Sequence, residues 1–123
     1  HVKFVGLQRD VRPFLLAANA LAFPSYREGF PNVVMQAGAM GLPSIASDIN
    51  GCNEIIVEGK NGRLVKPQDA AALRDMMLWF IDHPTEVAAM AANAREMIVS
   101  RYQRQLIWDE LLKLYRQSLA STN

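Results

Sequence analysis

Short apolar runs alternate with stretches of helical periodicity over the first part of the chain, the sequence sign of a parallel sheet covered by helices. The runs at Val2–Leu7, Leu21–Phe23, Leu42–Ser47 and Arg63–Val65 are the predicted strands, with Leu21–Phe23 read as buried. Asp10 is placed to cap a helix reaching about Asn19, with Pro13 in its first turn, where amides have no intrahelical partner. Gly29-Phe30-Pro31 opens a second helix that runs to about Met40 and ends at Gly41, proline suiting the first helical position. Val33, Ala37 and Met40 form the face predicted to pack on the sheet. After the turn at Asp48–Gly51, the segment Asn53–Val57 fits either a short helix or a strand, and Glu58–Gly62 reads as a loop.

Beyond Pro67 the pattern becomes continuously helical. Asp69 caps a segment with Leu73, Met76, Met77, Phe80 and Ile81 on one stripe, ended by the His83-Pro84 turn. Thr85 is predicted to cap a second segment carrying Val87, Met90, Ala94, Met97 and Ile98. A third carries Trp108, Leu111, Leu112, Tyr115 and Leu119. Methionine and aromatic stripes at this spacing predict core. The chain thus divides into an α/β portion over 1–66 and a helical tail over 67–123, one unit or part of one.

Composition narrows the class without naming a function. Half of the 123 residues are hydrophobic and a fifth are charged, as in soluble globular proteins. A formal net charge of +1 offers no field for a polyanion, so nucleic acid is not an expected partner. Arg101, Arg104, Lys113 and Arg116 fall at helical spacing and read as a solvated face. Cys52 is alone, which excludes an internal disulfide and a cysteine metal site and fits a reducing, cytosolic compartment. No apolar run approaches the roughly 20 residues that span a bilayer. His1 and His83 have no companions suggesting zinc, and the glycine-rich dinucleotide and ATP signatures are missing. The strand-like opening suggests a piece of a longer protein.

Ligands of open α/β sheets bind beyond the carboxyl ends of strands, where loops lead into helix N-termini. Pro24–Phe30 occupies that position and offers Ser25, Tyr26, Arg27 and Glu28. The amides and dipole of the helix that follows seat a phosphate or pyrophosphate. Asn32 and Gln36 are four apart and share a face, so a polar strip is expected from Glu28 past Asn32 to Gln36. Glu54 and Asp48 read as capping or turn residues.

Glu28-Gly29-Phe30-Pro31-Asn32-Val33-Val34-Met35-Gln36-Ala37, between Phe23-Pro24-Ser25 and Gly41-Leu42-Pro43-Ser44-Ile45-Ala46-Ser47, resembles the donor-site signature of glycosyltransferase family 4. The likeness continues through Gly51, Glu54-Ile55-Ile56, Asn61–Val65, His83-Pro84 and Trp108. It implies a Rossmann-like parallel sheet with flanking helices, the latter part of the C-terminal domain of a retaining GT-B enzyme. The N-terminal acceptor domain and the start of this domain, with its basic pair for the pyrophosphate, would then lie outside the chain.

The same resemblance assigns roles. Glu28 matches the first signature glutamate, which acts on the donor sugar. Gly29, Phe30, Pro31, Asn32 and Val33 would cradle the pyrophosphate and abut the sugar, the amides of Phe30, Asn32 and Val33 being the donors because proline has none. Ser25 belongs to the same donor site. Leu7, Gln8 and Arg9 would border the base. Gln36 stands where a second glutamate would grip the ribose; it keeps one carbonyl acceptor and loses the charge, which predicts weaker donor binding. The implied substrate is a UDP- or GDP-sugar, used without a metal or other cofactor, with a glycan or lipid-linked glycan as acceptor. The expected setting is the cytoplasm, peripheral at the inner membrane in the full-length protein. Gln36 keeps open a non-catalytic nucleotide-binding or interaction module, and the architecture also admits a sugar-nucleotide epimerase. A free sheet edge predicts self-association.

Overall fold

Three of the four apolar runs become strands in the computed structural model, which describes residues 1–121. They are β1 (Leu21–Phe23), β2 (Ser44–Ser47) and β3 (Gly62–Val65), all parallel, in the order β1-β2-β3. Leu21 pairs with Ser44 and Phe23 with Ala46; Ser44 pairs with Gly62 and Ser47 with Val65. The central strand β2 is buried at every position. β1 is only half-buried, against expectation, because no described strand flanks its other side. Gly62 allows β3 to approach β2: a Cβ there would lie 2.3 Å from the Ser44 carbonyl oxygen.

The predicted strand at Val2–Leu7 does not form. An extended run becomes a strand only where a neighbour completes its ladder, and among the described residues none does. Phe4 and Leu7 are accordingly 94% and 100% exposed.

The helices are α1 (Arg12–Ala17), α2 (Asn32–Ala39), α3 (Cys52–Ile55), α4 (Ala70–Asp82), α5 (Pro84–Tyr102) and α6 (Arg104–Ala120). α1 is shorter than its pattern suggests. Its N-cap is Val11, while Asp10 accepts the Arg12 amide at 3.0 Å from one position further out. Pro31 is the N-cap of α2 and not its first helical residue, and its carbonyl accepts the Met35 amide at 3.3 Å. α2 ends as its sequence dictates. Gly41, at φ +77°, donates to Gly38 and Leu42 donates to Ala37, both at 2.9 Å, the paired bonds of a Schellman motif. The apolar contact that accompanies this motif is made by Leu42 and Ala37, packed with Leu15. With the helix phased this way, Val34, Ala37 and Gly38 are the buried face, and Val33 and Met40 sit at its margin.

Asp69 caps α4 by accepting the Ala72 amide at 2.9 Å. His83, not Thr85, is the N-cap of α5, because Pro84 takes the first helical position, where its lack of an amide is harmless. The sheet is covered on both faces. Ala46 packs with Val34, Cys52, Ile55, Ile56 and Ile98; its neighbour Ile45, pointing the other way, packs with Val65, Phe80 and Met90. α5 serves both clusters, through Ile98 and Met90. It lies close against α2 at Gly38, where a Cβ would stand 2.6 Å from Ile98 Cγ1.

The stripe on α6 is not core. Trp108, Leu111, Leu112, Tyr115 and Leu119 are all exposed, and the helix buries nothing. The backbone turns at Gln103, φ −60° and ψ 132°, and carries α6 away from the sheet. Met77 and Ile81 on α4 are also open, lining an apolar groove of about 600 Å³ with Ala22, Leu42, Pro43 and Val87.

Candidate functional site

Two loops leave the carboxyl ends of adjacent parallel strands. One runs from Phe23 through Pro24–Pro31 into α2; the other runs from Ser47 through Asp48–Gly51 into α3. They interlock through backbone. Gly51 has φ +80°, and a Cβ on it would lie 2.5 Å from the Gly29 carbonyl oxygen and 2.7 Å from Pro31 Cδ. Only glycine satisfies both the left-handed conformation and the approach.

Glu28 is half-buried and accepts a hydrogen bond from Ser25 Oγ at 2.7 Å. That bond leaves its other carboxylate oxygen available. Glu28 lines a concavity of about 780 Å³ with Tyr26, Arg27, Gly29, Ile49 and Asn50. Its charge also reaches Cys52, whose thiol is pushed up to about 11, by burial first and by Glu28 second. A thiol so protonated is a packing residue and not a nucleophile.

The N-terminus of α2 has no side-chain cap and no acidic residue in its first turn. The amides of Asn32 and Val33 therefore present the positive end of the helix with no side chain capping them. Phe30 lies edge to face with Tyr102, ring centroids 5.3 Å apart.

Gln36 is exposed on α2 and lines a second concavity, of about 390 Å³, with Arg9, Asp10, Arg12, Leu15 and Met40. Arg12 pairs with Asp10 at 2.8 Å and holds that carboxyl down at about 2. Arg9 thus lines the same concavity as Gln36. Leu7 and Gln8 do not: Leu7 is fully exposed, and Gln8 turns back to the Val5 carbonyl. The single polar strip expected from Glu28 to Gln36 is divided. Asn32 and Gln36 follow the helix, whereas Glu28 precedes it on a loop, where helical periodicity no longer sets direction.

Asp48 serves its turn as expected, whereas the Glu54 side chain caps nothing: α3 has Gly51 at its N-cap and no side-chain cap hydrogen bond. Asp48 accepts from Asn53 Nδ2 at 3.0 Å, and the Glu54 carbonyl accepts from Arg101 and Tyr102. Sequence reasoning passed over Ile49 and Asn50, which line the same concavity as Glu28, and Tyr102. The turn chemistry of Asp48–Gly51 was legible, but its position opposite Glu28 follows from strand order. Among the described residues no group of three or more His, Cys, Asp or Glu could hold a metal ion, and no helix is long and apolar enough to cross a membrane.

The family model described as glycosyl transferases group 1 matches residues 1–83. Among curated proteins, the capsular polysaccharide biosynthesis glycosyltransferase CapM of Staphylococcus aureus is 30% identical over 101 residues, covering 82% of this chain and 27% of CapM. D-inositol 3-phosphate glycosyltransferase of Corynebacterium urealyticum is 35% identical over 100 residues, covering 81% of this chain and 23% of that protein. The chain therefore spans about a quarter of the length of these relatives. Among solved structures, sucrose-phosphate synthase of Thermosynechococcus elongatus superposes with a TM-score of 0.84 at 32% identity, covering 90% of this chain and 28% of that one. Anabaena HepE, solved with UDP, gives 0.89 at 25% identity, with coverage of 94% and 32%.

Proposed function

This chain belongs to the group 1 glycosyl transferases, and on that premise we propose that the protein carrying it transfers a hexose from a UDP- or GDP-sugar to a hydroxyl acceptor. The acceptor class is a glycan or lipid-linked glycan, and the transfer retains configuration, as in family 4. The reading is carried by one observation: an uncapped helix N-terminus stands between a concavity holding Glu28 and another holding Gln36 and Arg9. A donor laid along that segment puts its diphosphate on the amides of Asn32 and Val33 and its nucleoside toward Gln36 and Arg9. Its sugar then falls beside Glu28. Helix amides stabilise the departing diphosphate electrostatically, so the proposed chemistry uses no metal. The HepE structures solved with UDP and with UDP-glucose support a nucleotide sugar as the ligand class.

Titration of the full-length protein with UDP, GDP and ADP tests this. Saturable binding to one nucleotide is expected, and none at millimolar levels sinks the donor-site reading. Gln36→Glu is expected to tighten that binding at least about fivefold, roughly 1 kcal/mol, because a carboxylate accepts from the ribose hydroxyls more strongly than an amide does. Unchanged or weaker binding removes Gln36 from the ribose. Gln36 is also the observation that favours a non-catalytic nucleotide-binding module, which would bind nucleotide without forming a glycoside. The relatives cited above carry glycosyltransferase and synthase names, and none favours the epimerase.

The edge of β1, which no strand among the described residues pairs, and the open apolar groove beside it support self-association. Sedimentation velocity at high protein concentration checks this, and a strictly monomeric species counts against it. A nucleotide-sugar donor and a lipid-linked acceptor together favour action in the cytoplasm, peripheral to the inner membrane.

A further inference from the structure

The loop that carries Glu28 is held from two sides. On one side Gly51 meets Gly29 and Pro31. On the other stands Tyr102, the last residue of α5. Its ring meets Phe30 edge to face, centroids 5.3 Å apart and planes at 66°. Tyr102 is itself restrained. Its hydroxyl donates to the Glu54 carbonyl at 3.1 Å, and the Arg101 guanidinium lies 4.9 Å from its ring centroid. Arg101 in turn donates to the carbonyls of Glu54, at 2.9 Å, and Ile55, and so caps the C-terminal end of α3. Phe30 has a 40% exposed surface, and Tyr102 is the aromatic partner it meets. A rigid ring tied to α3 and α5 therefore sets where a loop aromatic sits.

We propose that Tyr102 is a positioning residue for the donor site: through Phe30 it fixes the Gly29–Pro31 loop and the first turn of α2, and so the amides that receive the diphosphate. This rests on the donor-site reading above. Loss of an aromatic pair of this geometry is expected to weaken nucleotide binding about threefold to tenfold.

The test uses the full-length protein with Tyr102→Ala and Tyr102→Phe. Hydrogen exchange is read at the Met35 amide, whose bond to the Pro31 carbonyl closes the first turn of α2, and at the β2 amides as reference. Tyr102→Ala should speed exchange at Met35 severalfold with β2 unchanged, and should weaken binding of the nucleotide, UDP, GDP or ADP, that saturates the wild type. Tyr102→Phe keeps the contacts of the ring with Phe30 and Arg101 and loses the hydroxyl bond, so it should restore most of both. Unchanged exchange at Met35 overturns the proposal. So does an equal rise in β2, which marks general loosening, or a rise at Met35 with nucleotide affinity intact. If the wild type binds none of the three nucleotides, the functional reading fails, and exchange at Met35 still decides whether Tyr102 orders the loop.

Discussion

Glu28→Ala in the full-length protein is expected to lower kcat about 100-fold or more while nucleotide affinity stays within about twofold. The split follows from where the side chain sits. Glu28 faces the concavity shared with Tyr26, Arg27 and Asn50, and Ser25 Oγ orients its carboxylate. Gln36 and Arg9 line a different concavity. A group acting on the sugar as charge develops at its anomeric carbon contributes to the transition state and little to the resting nucleotide complex. Steady-state kinetics with the cognate donor, together with calorimetry on the nucleotide, separate the two quantities. Intact turnover with lost nucleotide affinity would instead make Glu28 a nucleotide ligand.

Gly62→Ala carries the largest expected cost in stability, about 3 kcal/mol or more. The added Cβ would fall 2.3 Å from the Ser44 carbonyl oxygen and 3.2 Å from Ser44 C and N. All of these are backbone atoms of the central strand. Side chains on both faces hold β2 in place, through Ile45 on one and Ala46 on the other, so the strand has no direction in which to yield. Gly29→Ala is the matched control. A Cβ there meets nothing within 4 Å, and the position has no positive φ. Thermal unfolding of both variants measures the contrast. A Gly62→Ala midpoint within about 2 °C of wild type would show that β2 and β3 separate more easily than their packing indicates.

Much of the candidate site was legible because it is one continuous stretch. Ser25, Glu28, Asn32 and Gln36 lie within a strand-to-helix connection whose chemistry, a proline-rich loop leading to free helical amides, is written locally. Its second wall was not. Ile49, Asn50 and Gly51 become neighbours of Glu28 and Gly29 only because β1 and β2 are paired, and Tyr102 reaches Phe30 only because α5, which it ends, packs against α2. Gly51 could be read as a turn glycine. That it also leaves room for the Gly29 carbonyl depends on residues more than twenty positions away.

The same division runs through the fold. Features that close within a few residues were determined by the amino-acid sequence itself: the Asp69 cap on Ala72, the helix break at His83-Pro84, and the Schellman end of α2 at Gly41. Each is a bond or a steric exclusion between near neighbours, and nothing distant is needed to make it. Tertiary structure alone decided what required a partner. Among the described residues, Val2–Leu7 has the composition of a strand but no ladder beside it, and the α6 stripe has the spacing of a core face but stays exposed. Periodicity states which face of an element is apolar; burial and pairing belong to the two surfaces that meet, and the second surface is not written in the first.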